Sequence, residues 1–277
     1  MERVYPVYFK KIGLLLAVLA VVLLSACSSQ KDASQREHSG HGAEHTKAAS
    51  TLKASFAFET SSLRADEKSE LTIQITDNDG KPVQNFQVNH EKLLHLIIVD
   101  HSLSYFQHIH PTYKGNGKFM IGTSFPAGGE YKLIADFIPS GGDSTTLSQW
   151  VKVEGKEAEH AAIIADSQTK EIGGKEISLA LSSTKAKDEA TLTFTIRDAK
   201  TKQEITNLQP YLGAVGHVVI LSADAEQYIH VHPLDEKATG PVARFATSFP
   251  KAGTYKLWAQ FQHNGEVITS SFVVDVK

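Results

Sequence analysis

The sequence predicts an all-β protein built as two tandem β-sandwich domains. Three observations lead there. From about Thr51 the chain consists of short runs rich in Val, Ile, Thr and Tyr that alternate apolar with polar residues. Phe56-Ala57-Phe58, Leu71-Thr72-Ile73-Gln74-Ile75 and Tyr131-Lys132-Leu133-Ile134-Ala135 are examples. Period-two alternation puts successive side chains on opposite faces of a strand, and no long stretch carries a helical stripe. Turn signals punctuate the runs at Asp77-Asn78-Asp79-Gly80, Gly115-Asn116-Gly117 and Ser140-Gly141-Gly142-Asp143, as in a sandwich of short strands. Third, the second half repeats the first. Leu192-Thr193-Phe194-Thr195-Ile196 echoes Leu71 to Ile75, and Thr247-Ser248-Phe249-Pro250 reproduces Thr123-Ser124-Phe125-Pro126 residue for residue.

The first 26 residues read as an export signal, outside the fold. Arg3, Lys10 and Lys11 precede an apolar stretch from Ile12 to Leu24, which is shorter than a comfortable membrane span. It ends in Leu24-Ser25-Ala26-Cys27, which resembles the bacterial lipobox. That resemblance implies cleavage before Cys27 and lipid attachment to its sulfur. The mature protein then sits outside the cytoplasm, tethered to the bacterial cell membrane, with about 0.8 kcal/mol of anchoring per buried methylene. Cys27 is the sole cysteine of the 277 residues, so no disulfide crosses either sandwich. Each core rests on apolar packing, which a domain of roughly 100 residues can supply.

Residues 27–50 are small and polar and read as a flexible tether. They carry His38, His41 and His45 beside Glu44. Histidine-rich tracts bind transition metals, so this segment is either a weak metal-collecting tail or a solvated linker. The first sandwich spans 51–155 and the second 160–277, with a charged, weakly patterned join between them. In both, Gly-x-Tyr enters a strand, at Gly129-Glu130-Tyr131 and Gly253-Thr254-Tyr255. This predicts the tyrosine corner of immunoglobulin-like sandwiches, in which the hydroxyl bonds back to the backbone.

The sharpest feature of the repeat is a set of histidines. His108-Ile109-His110-Pro111 reappears as His230-Val231-His232-Pro233, and His95 and His217 each stand 13 positions before the first histidine of their copy. Residues two apart on a strand share a face, so His108 projects with His110 and His230 with His232, and the prolines then end the strand. If Val99 pairs with Phe106 in a hairpin, Ile97 faces His108 and His95 faces His110. The same register pairs His217 with His232. Each repeat then gathers three imidazoles on one face, within reach of one ion at about 2.0–2.1 Å. A slip of one residue would destroy the arrangement. Three neutral nitrogens suit copper(II) first and zinc second. Met120 is the single methionine after Cys27 and no folded cysteine exists, so a blue-copper or methionine-rich site is set aside. The alternative is that His-x-His-Pro packs the strand end. His90, His101, His160 and His263 lack counterparts in the other half and read as surface residues.

These residues, with Tyr105-Phe106-Gln107 and Phe125-Pro126-x-x-Gly129-x-Tyr131 and their second-half counterparts, make the chain similar to YtkA-like bacterial lipoproteins. The resemblance implies extracytoplasmic immunoglobulin-like domains associated with copper handling, and an envelope protein partner in metal delivery. From it follows the expectation of a copper chaperone or buffer with one three-histidine site per repeat. The competing expectation is an envelope interaction module that holds no metal. Catalysis is disfavoured, because no acid recurs beside the triad: Asp100 in the first half is matched by Ser222 in the second. A net charge of -3 gives no footprint for nucleic acid.

Overall fold

The computed structural model describes residues 52–277 apart from 161 and 230. The expected signal segment, Cys27 and the tether histidines His38, His41 and His45 lie outside the described residues, as does His230. All regular structure among the described residues is β-strand, and no helix is long and apolar enough to cross a membrane.

The first repeat comprises β1 (Leu52–Phe58), β2 (Leu63–Arg64), β3 (Ser69–Asp77), β4 (Phe86–Gln87), β5 (Leu94–Asp100), β6 (Phe106–Ile109), β7 (Thr112–Tyr113), β8 (Lys118–Thr123), β9 (Gly129–Pro139) and β10 (Thr145–Glu154). One sheet runs β1-β3-β8-β7 and the other β2-β10-β9-β5-β6, with β4 also on β9. The second repeat comprises β11 (Thr169–Ile172), β12 (Lys175–Leu181), β13 (Glu189–Asp198), β14 (His217–Ser222), β15 (Tyr228–Ile229), β16 (His232–Pro233), β17 (Val242–Ser248), β18 (Gly253–His263) and β19 (Glu266–Val276). Its sheets run β11-β12-β13-β17-β16 and β15-β14-β18-β19.

Each sandwich closes over its own core, because alternate residues of facing strands point inward. Leu71, Ile73 and Ile75 of β3 pack with Leu96, Ile98, Phe119, Leu133 and Phe137. Leu192, Phe194 and Ile196 of β13 pack with Ile220, Phe245, Leu257, Phe261 and Phe272. Both tyrosine corners form. Tyr131 Oη donates to Ala127 O at 3.0 Å and Tyr255 Oη to Lys251 O at 2.8 Å. The repeats are tandem immunoglobulin-like sandwiches.

One strand departs from the half-buried pattern. Every residue of β5 is buried, so both of its faces are covered. Leu94, Leu96 and Ile98 face the first core. Ile97 and Val99 face outward, into a second apolar layer with Leu103, Ile134, Val219, Leu221, Ala225 and Trp258. The last four belong to the second repeat, so this layer glues the sandwiches together. Phe106 stacks on Trp258 with ring centroids 4.7 Å apart. Polar ties flank the layer. Lys132 Nζ donates to Ala225 O at 2.8 Å and to Glu226 Oε1 at 2.7 Å, and Tyr228 Oη donates to Asp136 Oδ2 at 3.1 Å. Continuous apolar runs are what two-faced burial demands of a strand.

Candidate metal centre

Alternation decides where the histidines go. His95 shares the outward face of β5 with Ile97 and Val99, and His217 shares that of β14 with Val219 and Leu221. On β6, Phe106 and His108 face the same way while Ile109 packs on the first core. The inter-repeat layer therefore ends in imidazoles. The first-repeat register is the expected one, with Ile97 opposite His108 and Val99 opposite Phe106. His110 lies just past β6, and its ring still reaches His95.

The result is a single cluster drawn from both repeats. His95, His108 and His217 each offer a ring nitrogen, all within 4.8 Å of one another. His110 Nε2 lies 3.2 Å from His95 Nδ1. The His95 and His217 rings stack across the boundary, 5.4 Å apart with planes at 10°. His90 joins them, 5.3 Å from His217 and 6.3 Å from His95 between centroids. Asn89-His90-Glu91-Lys92 is a tight hairpin turn in which His90 and Glu91 adopt φ of 45° and 64°. Such left-handed positions favour glycine, and the turn uses them to aim an imidazole at the cluster.

Three expectations are corrected. The first is a separate triad in each repeat: the cluster is shared, with His95, His108 and His110 from one repeat and His217 from the other. The second is the pairing of His217 with His232. The described residues of β15, Tyr228 and Ile229, pair with Leu221 and Ile220. By His232 the chain has crossed to the opposite sheet, where His232 pairs with Ala246 and is exposed. Pro233 is the last residue of this two-residue edge strand. In the first repeat the crossing comes later, with Thr112 the first residue across. The earlier crossing buries Val231 in the second core and carries His232 away. The third is His90, expected on the surface. Its counterpart by repeat spacing is Leu212, so comparison of the two halves hides it. The signal that would have found it is its place in the turn leading into β5. Among the described residues, His101, His160 and His263 make their contacts elsewhere. His101 touches the Trp150 ring, His160 approaches Glu157, and His263 Nε2 is 3.1 Å from Asn207 Oδ1.

Hydrogen bonds assign the tautomers. His95 Nε2 lies 2.9 Å from Asn89 O. A carbonyl only accepts, so Nε2–H donates. His108 Nδ1 lies 2.7 Å from Gln260 Oε1, and the Gln260 amide is oriented by Nε2 donating to Thr269 Oγ1 at 3.1 Å. His108 Nδ1–H therefore donates, leaving the lone pair on Nε2. His95 Nδ1 and His108 Nε2 face each other at 2.9 Å. His110 Nε2 approaches the same His95 Nδ1, so three of the rings meet through hydrogen-bonding nitrogens.

Burial keeps the rings neutral. It pulls the His108 pKa down to about 3, helped by neighbouring His95 and opposed by the Gln260 bond. Burial and then His95 lower His110 to about 4. Burial, then His108 and His95, hold His217 well below the usual range. Neutral imidazole is the ligating form. Asp136, opposite His95 on β9, has its carboxyl pKa raised by burial and lowered in part by His95 and the Tyr228 bond.

The donor set fits a borderline transition metal. It offers imidazole nitrogens without thiolate, the chemistry that copper(II), zinc and nickel prefer. Nitrogens around a four-coordinate ion at about 2.0–2.1 Å stand roughly 3.3 Å apart, close to the 3.2 Å between His110 Nε2 and His95 Nδ1. A ligating histidine typically donates its other N–H to a carbonyl or carboxylate, as His95 does to Asn89 and His108 to the Gln260 amide oxygen.

A family model described as a domain of unknown function (DUF8832) matches residues 49–155 and again 170–277. The chain belongs to this family. It carries two DUF8832 domains, one for each sandwich, and the cluster lies where they meet. No curated protein matches the chain. Among solved structures, it is similar to the Escherichia coli adhesin FdeC at 18% identity, covering 82% of this chain and 64% of that one, with a TM-score of 0.26. It is similar to the Yersinia pseudotuberculosis adhesin InvE at 12%, covering 82% and 60%, with a TM-score of 0.27. Fibronectin(III)-like modules of Clostridium thermocellum CbhA match at 12%, over 80% and 94%, with a TM-score of 0.21. The chain spans less than two thirds of either adhesin chain.

Proposed function

We propose that this protein is a membrane-tethered, extracytoplasmic metal-binding lipoprotein that holds one transition-metal ion between its two repeats. The ion is copper(II) in the first instance and zinc in the second, and the role is that of a chaperone or buffer, not an enzyme. His95, His108, His110 and His217 would hold it, with His90 beside them. When bound, the ion supplies a positive charge that several lone pairs can share. The observation that carries this reading is the convergence of ring nitrogens of His95, His108 and His217, all within 4.8 Å of one another, with an acceptor behind His108 Nδ1 that leaves its Nε2 lone pair facing the cluster. The lipobox resemblance at Cys27 supports the tether, and the similarity to YtkA-like lipoproteins supports copper.

The test is calorimetric titration of residues 27–277, with Cys27→Ser, against copper(II) and zinc. A variant lacking residues 28–50 removes any contribution of His38, His41 and His45. We expect one folded-domain site per chain, lost in both His108→Ala and His217→Ala. An independent triad in the first repeat would survive His217→Ala. Absence of binding beyond that of the tail would leave the other reading, an envelope interaction module without a metal.

A further inference from the structure

Gln260 and Asp136 hold equivalent places in the two repeats. Gln260 stands opposite His217 on neighbouring strands, as Asp136 stands opposite His95. Gln260 is only 6% exposed, and its bond is directed at the other repeat: Oε1 meets His108 Nδ1 at 2.7 Å, 152 positions away in sequence.

The consequence concerns what His108 would otherwise do. With its proton on Nε2, His108 would donate to His95 Nδ1 across their 2.9 Å gap. The His108 Nε2 lone pair would then be withdrawn from any ion. An acceptor behind Nδ1 forbids this. Only one ring nitrogen of neutral imidazole carries the proton, and Gln260 Oε1 claims it. We propose that Gln260 is a positioning residue that keeps the centre in its ion-binding form, acting from the second repeat to hold His108 as the Nδ1–H tautomer. It thereby keeps the His108 Nε2 lone pair turned towards the other rings. This inference rests on the metal-binding reading above, and the two are tested separately.

The experiment reads the tautomer directly. Long-range proton–nitrogen correlation spectra of the metal-free mature chain assign the protonated nitrogen of each histidine. In the wild type, His108 carries its proton on Nδ1; a proton on Nε2 overturns the proposal before any variant is made. Gln260→Met, near-isosteric but without an acceptor oxygen, shifts His108 towards the Nε2–H form and weakens copper(II) or zinc binding by about 10–100-fold, the usual scale for residues behind a ligand. Gln260→Glu keeps an acceptor, retains the Nδ1–H form and binds at least as tightly as wild type. An unmoved His108 tautomer in a folded Gln260→Met, or affinity within twofold of wild type, overturns the proposal. Failure of the wild type to bind either ion sinks the metal-binding reading instead, while the spectra still decide what Gln260 does to His108.

Discussion

At the scale of single residues the centre is defined by what each imidazole is denied. Burial denies His108, His110 and His217 a proton at ordinary pH, and this sets the pH behaviour of the metal-free protein. Above about pH 6.5 these rings are neutral both folded and unfolded, and they cost nothing by titration. As pH falls towards 4, the unfolded chain takes up protons that the folded chain refuses. Stability then declines by up to about 1.4 kcal/mol per pH unit for each such ring. Asp136, raised by burial, works in the opposite sense and offsets part of the loss. Urea denaturation of the metal-free chain from pH 7 to 4 is expected to show a falling midpoint, with a shallower fall in His110→Gln. Equal slopes in the two proteins would contradict this account. Under the proposed metal-binding reading, the same shifts would extend ion binding to more acid pH than a free imidazole near ~6.5 allows.

Single elements show what could be read from sequence and what could not. The β5–β6 hairpin was legible, because the chain between Val99 and Phe106 is short and its alternation admits one register that buries Ile109. The place where β15 leaves its sheet was not, since strand exit is decided by packing against Phe245, Phe261 and other distant residues of the second core. His90 escaped because the repeat comparison rewards what recurs, and this residue does not. The apolar runs of β5 and β14 did announce a covered outer face, though nothing local says what covers it. At the start of β14, Gly216 is required for steric reasons. A Cβ there would lie 2.7 Å from the Gln260 backbone oxygen and 2.6 Å from Phe261 Cδ1. The ring can shift, but the backbone oxygen cannot. Gly216→Ala is expected to push the head of β14 away from β18 and cost about 1–3 kcal/mol. Because His217 is the next residue, ion affinity should fall with it. A variant of unchanged stability and affinity would show that β14 tolerates the displacement.

For the whole molecule, the proposed reading makes ion binding and the docking of the two sandwiches one equilibrium, because the candidate ligands come from both sides. Trp258 belongs to the inter-repeat layer and not to either core. Trp258→Ala should therefore loosen docking while each sandwich stays folded, with a loss of roughly 3–5 kcal/mol. Calorimetric unfolding should then separate into two transitions. In wild type, an ion at a hundredfold excess over its dissociation constant adds about 2.7 kcal/mol to the docked form. In the variant that gain should shrink, since part of it is spent on docking. A single transition with full ion stabilisation would argue that the repeats are held by something other than this layer.

The parallel stack of His95 on His217 has a historical reading. These are equivalent residues, and a surface that meets its own copy is the geometry of a twofold homodimer. Here both copies sit on one chain, so their association does not depend on how much protein is present. A short covalent link acts as an effective concentration on the order of millimolar. Fusion also releases the two sides from identity. One side can keep Asp136 where the other has Gln260, and His90 where the other has Leu212, so two halves of common pattern can divide the labour of a single site.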